Sequence, residues 1–227
     1  MIEREKINNE KRMKSVLMIG QSNMAGRGDL GEVEAIENPL CYMFRMCKWQ
    51  PMSEPINVDK GIRASFLPGI SLAASFADSL SRHICAPVGL IPCAHGGTKI
   101  SEWQEGEPLF ENAIFTTKLA QKNSELCAII WHQGESDCMP FDSEYYRKAF
   151  ISCMSAFRNR LEMQDLPIII GEISENTSES WGIREYAPKM NALMHTLSQE
   201  LAHCAVANAA QLPLREDGIH FSPSAFI

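Results

Sequence analysis

The sequence of 227 residues lacks a long apolar run. Nowhere do about 18 hydrophobic residues follow one another, as a membrane-spanning helix requires. The charged N-terminus, MIEREKINNEKRMK, is followed only by SVLMIG, which is too short for the apolar core of a signal peptide. We therefore expect neither a transmembrane helix nor a signal peptide, and we expect a cytoplasmic location.

The sequence also lacks an excess of positive charge. It has 21 Lys and Arg residues against 28 Asp and Glu residues, which gives a formal net charge of −7. Nucleic acids and anionic membranes bind basic surfaces, so neither is expected as a main partner. The expected partner is a small molecule or an oligosaccharide.

Metal-binding cysteine spacing is absent as well, because no two of the eight cysteines form a C-x-x-C pair. His132 and Glu135 are spaced as an H-x-x-E pair, but no third ligand follows at a suitable distance. Several cysteines lie in apolar runs, as Cys127 does in LCAII, where cysteine behaves as a small hydrophobic residue. The sequence thus predicts free thiols in a reducing compartment, and neither a metal nor an organic cofactor.

What the chain does contain is a series of short apolar runs separated by segments of helical periodicity. The strand-like runs are Ser15–Gly20, the weaker Cys41–Phe44, Pro87–Pro92, Leu126–Trp131, Pro167–Ile173 and His203–Ala207. Helical segments are Leu72–Ile84, Pro108–Asn123, Asp142–Glu162 and Arg184–Leu201. Apolar strands without clean alternation are typical of parallel sheets buried on both faces. We expect a three-layer α/β/α sandwich with a mainly parallel, roughly five-stranded sheet.

One domain is expected over residues 15–227, preceded by a polar extension over residues 1–14. The irregular stretch Asn57–Gly69 is interpreted as a loop that borders the functional site.

Four polar clusters follow predicted strands. They are Gly20–Gly26 (GQSNMAG), Cys93–Thr98 (CAHGGT), His132–Asp137 (HQGESD) and Glu216–Ser222 (EDGIHFS). The carboxyl ends of parallel strands meet at one edge of a sheet, where ligands bind in such folds. The topology therefore predicts that all four clusters lie together.

Ser22 is the candidate nucleophile. A serine hydroxyl needs a base to take its proton and donors to stabilise the oxyanion. Asp217 and His220, three residues apart, can supply a base that is oriented by a carboxylate. Candidate oxyanion donors are the Ser22 and Gly97 amides and a side-chain amide, Gln133 or Asn23.

The blocks GQSNMAGRG, HGGTKISEW, WHQGESD and DGIHFS resemble those of sialate O-acetylesterases and acetylxylan esterase-like carbohydrate esterases. These enzymes form a branch of the SGNH hydrolase superfamily, whose fold is flavodoxin-like. The resemblance extends from Gly20 to His220, nearly the whole chain, and the blocks occur in the expected order.

This resemblance implies a serine esterase that removes acetyl groups from carbohydrates of the sialic acid or xylo-oligosaccharide type. It assigns Ser22 as nucleophile, His220 as base and Asp217 as acid, and it implies that Gly97 and Gln133 complete the oxyanion hole with Ser22. Related proteins continue into a closing helix, which we expect to be absent from this chain because it ends at Ile227.

Other residues have open roles. For Glu135 three roles are open: a second acid near His220, a substrate contact, or a brace for the Gln133 loop. Gln21, Asn23 and Gly96 are possible substrate or supporting residues. His95 either lines the pocket or is a loop histidine, and His132 is expected to be structural. Trp103 and Trp131 could stack on sugar rings, although core packing is the expected role of Trp131.

Two alternative functions follow from the same residues. One is a general short-chain acyl esterase or a lysophospholipase-like hydrolase with the same triad. The other is a glycan-binding relative that has kept the fold without catalysis.

Overall fold

The computed structural model describes residues 12–58 and 67–226, which fold around one seven-stranded sheet. The strands are β1 (Lys14–Gly20), β2 (Cys41–Arg45), β3 (Lys48–Pro51), β4 (Val88–Pro92), β5 (Glu125–His132), β6 (Ile168–Gly171) and β7 (Cys204–Ala207). Their order is β3-β2-β4-β1-β5-β6-β7, and only β3 is antiparallel to its neighbour.

The described residues also form five α-helices, namely α1 (Ser22–Ala25), α2 (Ala73–Ile84), α3 (Pro108–Ala120), α4 (Ser143–Arg160) and α5 (Ala187–Glu200). Successive side chains of a strand point to opposite faces, and two separate cores result. Leu17 and Ile19 of β1 pack with residues of α3, α4 and α5. Val16 and Met18 pack on the other face with residues of α1 and α2. The predicted three-layer α/β/α fold is therefore confirmed.

The sheet has seven strands where roughly five were expected. Six of them correspond to the six strand-like runs of the sequence, and the seventh, β3, lies at one edge. β3 is only four residues long, carries the polar sequence KWQP and is half-exposed. It pairs with β2 across a tight turn in which Met46 and Cys47 have φ of 51° and 60°. Turns with two left-handed residues match the twist of a hairpin. This turn lacks the Asn-Gly sequence from which such a hairpin is usually predicted.

The predicted helices are confirmed, with ends shifted by a few residues. α4 begins after Asp142, whose side chain accepts a hydrogen bond from Tyr145 N at 2.9 Å and so caps the helix. In α2 the residues pressed against the sheet are Ala73 and Ala77 rather than the larger Leu72 and Phe76, which are only partly buried. Small side chains let the helix approach the sheet closely.

The strand β1 begins at Lys14, which pairs with Val88 and Glu125. The first 11 residues lie outside the described part of the chain, as do residues 59–66 of the predicted Asn57–Gly69 loop. The last described residues, Pro223–Phe226, form a short 3-10 turn. Over residues 12–58 and 67–226, no helix is long and apolar enough to cross a bilayer.

The carboxyl ends of β1, β4 and β5 are held together by backbone hydrogen bonds. Gln21 N donates to His132 O and His95 N donates to Gly20 O, both at 2.9 Å. Gly20 has φ of +134°, and a Cβ there would lie 2.1 Å from His132 O, so only glycine fits. The loops that carry three of the polar clusters are thereby fixed side by side.

Candidate active site

Six of the predicted site residues meet in one cavity at this edge of the sheet. The cavity has a volume of about 440 Å³, and Gln21, Ser22, Gly96, Gly97 and His220 lie on its wall, as does a sixth predicted residue, Glu135. Three other predicted residues, Asn23, Gln133 and Asp217, are not part of the wall and lie behind it. The four sequence clusters thus come together as the topology predicts.

Ser22 is the first residue of α1, directly after the end of β1, and its exposed fraction is 8%. The first N–H groups of a helix have no partner within the helix. Among the described residues, no acceptor lies within hydrogen-bond distance of the Ser22 or the Gly97 N–H group. Gly97 sits in a turn with φ of +77°. Both amides are therefore available to a ligand in the cavity.

Asp217 and His220 form a tight pair. His220 Nδ1 lies 2.8 Å from Asp217 Oδ2, while Asp217 Oδ1 accepts from the Ile219 and His220 N–H groups at 3.0 Å each. Partial burial raises the pKa of Asp217, but hydrogen bonds from the His220 side chain and from these backbone amides outweigh it and lower the pKa to about 2. The ionised carboxylate accepts a hydrogen bond from Nδ1–H, which favours the neutral tautomer of His220 whose Nε2 carries no proton and can act as a base.

Asn23 connects the Ser22 turn to the His220 loop. Its Nδ2 donates to Glu135 Oε1 at 2.6 Å and to Ile219 O at 3.1 Å, and its Oδ1 accepts from Phe221 N at 3.0 Å. Two of these contacts hold the backbone on either side of His220, at Ile219 O and at Phe221 N. The geometry gives Asn23 a positioning role, not that of an oxyanion donor.

Glu135 lies on the cavity wall with an exposed fraction of 4%. One carboxylate oxygen accepts from Asn23, and the other has no hydrogen-bond partner among the described residues. The carboxylate that accepts the hydrogen bond from His220 Nδ1 is that of Asp217 instead. The arrangement therefore favours Asp217 as the acid and leaves Glu135 as a brace or a substrate contact.

Gln133 is fully buried, and its amide faces the protein. Nε2 lies 2.6 Å from Asp137 Oδ2, 3.0 Å from Thr98 O and 3.2 Å from Gln21 Oε1. Burial raises the pKa of Asp137, which the hydrogen bonds from Ile100 N and Gln133 oppose. Two amide hydrogens with three protein acceptors leave none for an oxyanion. This geometry does not support direct donation by Gln133, and it favours a brace between the three strand-end loops.

The predicted alternatives for the remaining aromatic residues are resolved by burial. Trp103 and Trp131 have no exposed surface and contact each other edge-to-face at 5.8 Å, so the prediction that Trp103 could stack on sugar is wrong. His132 is buried, its Nε2 lies 3.0 Å from Glu172 O, and its ring packs against Phe221. His132 is structural, as expected. His95 is partly buried and does not line the cavity.

Sequence reasoning missed part of the wall. Met139, Trp181, Ile183 and Ile219 give it an apolar character, whereas Arg27, Lys99 and Ser136 add polar groups. Trp181 and Ile183 belong to the connection after β6. That connection follows the carboxyl end of a parallel strand, so the rule that located the other clusters applies to it. Its sequence, TSESWGI, carries no catalytic pattern to draw attention.

Over residues 12–58 and 67–226, no group of three or more His, Cys, Asp or Glu side chains is arranged to hold a metal ion. The polar groups of the cavity are those of acyl transfer: a serine, a histidine with its carboxylate, and unoccupied backbone amides.

Comparison with known proteins is consistent with this chemistry. The sequence model of the family described as "Carbohydrate esterase, sialic acid-specific acetylesterase" matches residues 12–227. An Arabidopsis thaliana protein named "Probable carbohydrate esterase At4g34215" is 30% identical over 229 residues, which cover 92% of this chain and 84% of that protein.

Solved structures show the same fold. The crystal structure of the Arabidopsis thaliana protein matches with a TM-score of 0.82 at 27% identity, covering 95% of this chain and 93% of that one. NanS matches with a TM-score of 0.74 at 19% identity, with 95% and 93% covered. XAC1771, a carbohydrate acetylesterase from Xanthomonas citri, has a TM-score of 0.58 at 16% identity, with 94% and 53% covered.

The predicted relationship to SGNH-type carbohydrate esterases is therefore confirmed, and with it the expectation of an enzyme that hydrolyses carboxylic esters, acetyl esters of carbohydrates in particular. From its fold, its cavity and these matches together, the chain belongs to the sialic acid-specific acetylesterase family of carbohydrate esterases.

Proposed function

We propose that this protein removes O-acetyl groups from carbohydrates through an acetyl-enzyme on Ser22. The observation that carries the proposal is the 2.8 Å contact of His220 Nδ1 with Asp217, on a loop that brings His220 into the same cavity as Ser22. A fixed imidazole beside a serine at a strand end is the arrangement that activates a hydroxyl.

In the first half-reaction, Ser22 Oγ attacks the acetyl carbonyl carbon and His220 Nε2 takes the hydroxyl proton. The carbonyl oxygen becomes an oxyanion, which the Ser22 and Gly97 N–H groups stabilise. When the intermediate collapses, the bond between the carbonyl carbon and the sugar oxygen breaks, and His220 returns its proton to that oxygen. The sugar leaves with a free hydroxyl.

In the second half-reaction, His220 takes a proton from water, and the resulting hydroxide attacks the acetyl-enzyme. The bond to Ser22 Oγ breaks, the proton returns to Ser22, and acetate leaves. Asp217 stays ionised throughout and stabilises the imidazolium that forms twice in each cycle.

Gln133 lies behind the cavity wall and supports this chemistry without facing the substrate. Its amide joins Thr98 O, Asp137 and Gln21, which belong to three different loops. We propose that Gln133 sets the position of the Gly97 amide relative to Ser22, in place of the direct donation inferred from the resemblance.

The family description makes an O-acetylated sialic acid the first substrate to test, with acetylated xylo-oligosaccharides as the comparison. The test is acetate release by the wild type and by Ser22→Ala, with Ser75→Ala in α2 as the matched control. We expect Ser22→Ala to lose at least about 10⁴-fold in kcat, because its oxygen forms the covalent bond. Equal thermal stability would show that the variant is folded, and undiminished turnover would contradict Ser22 as nucleophile.

A general short-chain acyl esterase is the second candidate, because the cavity is larger than an acetyl group needs and Met139, Trp181 and Ile183 are apolar. The two candidates differ in chain-length preference. Comparable kcat/KM on acetyl, butyryl and octanoyl esters of one alcohol would favour the general esterase, whereas a steep loss after acetyl favours the carbohydrate acetylesterase.

A further inference from the structure

The connection after β6 touches both the cavity and the loop that carries Asp217. It contains a 3-10 turn, Glu179–Trp181, and its residues Trp181 and Ile183 lie on the cavity wall. Met139 packs beside them, since a Cβ on Gly182 would lie 2.9 Å from Met139 Sδ. These apolar side chains line the same cavity as Ser22.

The same connection is bonded to the acid loop at two consecutive carbonyls. Trp181 Nε1 donates to Asp217 O at 2.8 Å, and Ser178 N donates to Gly218 O at 2.8 Å. Gly218 has φ of +69°, and a Cβ there would lie 2.5 Å from Ser178 Cβ. The two backbones are therefore in close contact, and the indole ring has a fixed orientation.

The size of the indole indicates which part of the substrate it contacts. A tryptophan presents on the order of 200 Å² of surface, far more than the single methyl of an acetyl group can cover. A pyranose ring has a flat face of C–H groups, which complements the negative face of an aromatic ring. Trp49, Trp103 and Trp131 do not line the cavity, so Trp181 is the tryptophan that can offer this contact.

We propose that Trp181 is the platform on which the sugar ring of the substrate stacks, and that its indole N–H holds the Asp217 loop in position. The proposal rests on the proposed function, because it names the residue that recognises the alcohol part of the ester. Ring stacking and loop positioning are separate properties of one side chain, and different substitutions remove them.

The test compares Trp181→Leu, which loses both properties, with Trp181→Phe, which keeps a ring but has no N–H donor. The esters are an O-acetylated sialic acid and ethyl acetate, which has no ring to stack. Phe115→Leu, an exposed aromatic of α3 outside the cavity, is the matched control.

For Trp181→Leu we expect KM to rise about tenfold on the sugar ester and to stay within about twofold on ethyl acetate. Trp181→Phe should restore KM on the sugar ester. Both variants should lose kcat by about tenfold on both esters, since both lack the hydrogen bond to Asp217 O. Phe115→Leu should match the wild type in every constant.

An unchanged ratio of sugar-ester KM to ethyl acetate KM in Trp181→Leu would overturn the platform, and wild-type kcat in Trp181→Phe would overturn the positioning role. Failure of the proposed function gives a different result: the wild type would hydrolyse ethyl acetate but no acetylated sugar. If Trp181→Leu does not fold, the deacetylated sugar is titrated instead. It should quench tryptophan fluorescence in the wild type but not in Trp181→Phe, and equal quenching in both would overturn the platform.

Discussion

The two halves of the catalytic site are held in different ways. The Ser22 turn lies at the centre of the sheet, where backbone hydrogen bonds from Gln21 to His132 and from His95 to Gly20 join three strand ends. The His220 loop lies beyond β7 and outside the sheet. Backbone bonds hold part of it, as from Arg215 N to His220 O and from Ser178 N to Gly218 O. The side chains of Asn23 and Trp181 add further hydrogen bonds on either side.

This difference determines how sensitive each half is to a single substitution. A strand end in the middle of a parallel sheet is fixed by many backbone contacts, and no single side chain accounts for them. The His220 loop depends in addition on hydrogen bonds from the side chains of Asn23 and Trp181, and one substitution removes the bonds of each. A displacement of about 1 Å costs on the order of 10²-fold in rate. Substitutions around the loop should therefore reduce turnover more than their effect on stability suggests.

The largest effect is expected from Asp217→Asn. The amide favours the wrong tautomer of His220, and kcat should fall by about 10⁴-fold with little change in KM. Glu135→Gln is the matched control, a carboxylate of the same cavity whose bond goes to Asn23, and it should cost no more than about tenfold. Steady-state kinetics of both variants show which of them loses more kcat. If Glu135→Gln proves the more damaging, the acid role moves to Glu135.

Asn23→Ala should separate positioning from stability. It removes three hydrogen bonds around His220, and kcat should fall by about 10²-fold. Asn191 is an equally buried asparagine that also makes three bonds, to Ile173 N, Ile173 O and Glu175, away from the cavity.

Both asparagine variants should lose about 1–3 kcal/mol of unfolding free energy, because buried partners are left without hydrogen bonds. Only Asn23→Ala should lose turnover. Urea denaturation and kcat measured on the same preparations make the comparison, and a parallel loss of kcat in Asn191→Ala would remove the special role of Asn23.

The lowered pKa of Asp217 should be visible in the pH dependence of activity. With a pKa of about 2, Asp217 remains ionised above pH 4, so its protonation should produce no step in kcat/KM between pH 3 and 5. A step in that range that the wild type shows and Asp217→Asn lacks would contradict the lowered pKa.

The same lowered pKa affects stability. A carboxyl whose pKa falls from 3.8 to about 2 on folding stabilises the native state above pH 4, and that contribution is lost as the pH falls towards 2. The Tm of the wild type should therefore fall more steeply than that of Asp217→Asn between pH 4 and pH 2. Parallel curves would contradict the linkage.

The smallest effect is expected from Asp29→Asn. Asp29 makes an exposed ion pair with Arg215, which lies 3.8 Å from Asp217. Exposed pairs contribute about 0–1 kcal/mol and are screened by salt, so kcat should change less than about threefold and less still at high salt. Glu144→Gln, which breaks an exposed pair with Lys148 in α4, should leave kcat unchanged. A loss above tenfold in Asp29→Asn would place Asp29 among the supports of the His220 loop.

The sequence predicted the elements whose patterns are strong and local. The apolar runs of β1, β4 and β5 and the helical periods of α2 to α5 all correspond to elements of the structure. β3 escaped prediction because a short, half-exposed edge strand has no apolar run. The role of Trp181 was not predicted because its partner, Asp217, lies 36 residues away in the sequence.

The sequence by itself determined the chemistry: which serine, histidine and carboxylate are present, and that strand ends bring them to one edge of a parallel sheet. Only the tertiary structure decided which atoms face the cavity. It turned the amide of Gln133 towards Thr98, Asp137 and Gln21, and it placed Trp181 on the wall of the cavity that contains Ser22. The physical reason is that residue type follows from the local sequence, whereas the direction of a buried polar group is set by the partners that satisfy its hydrogen bonds, and those come from distant segments.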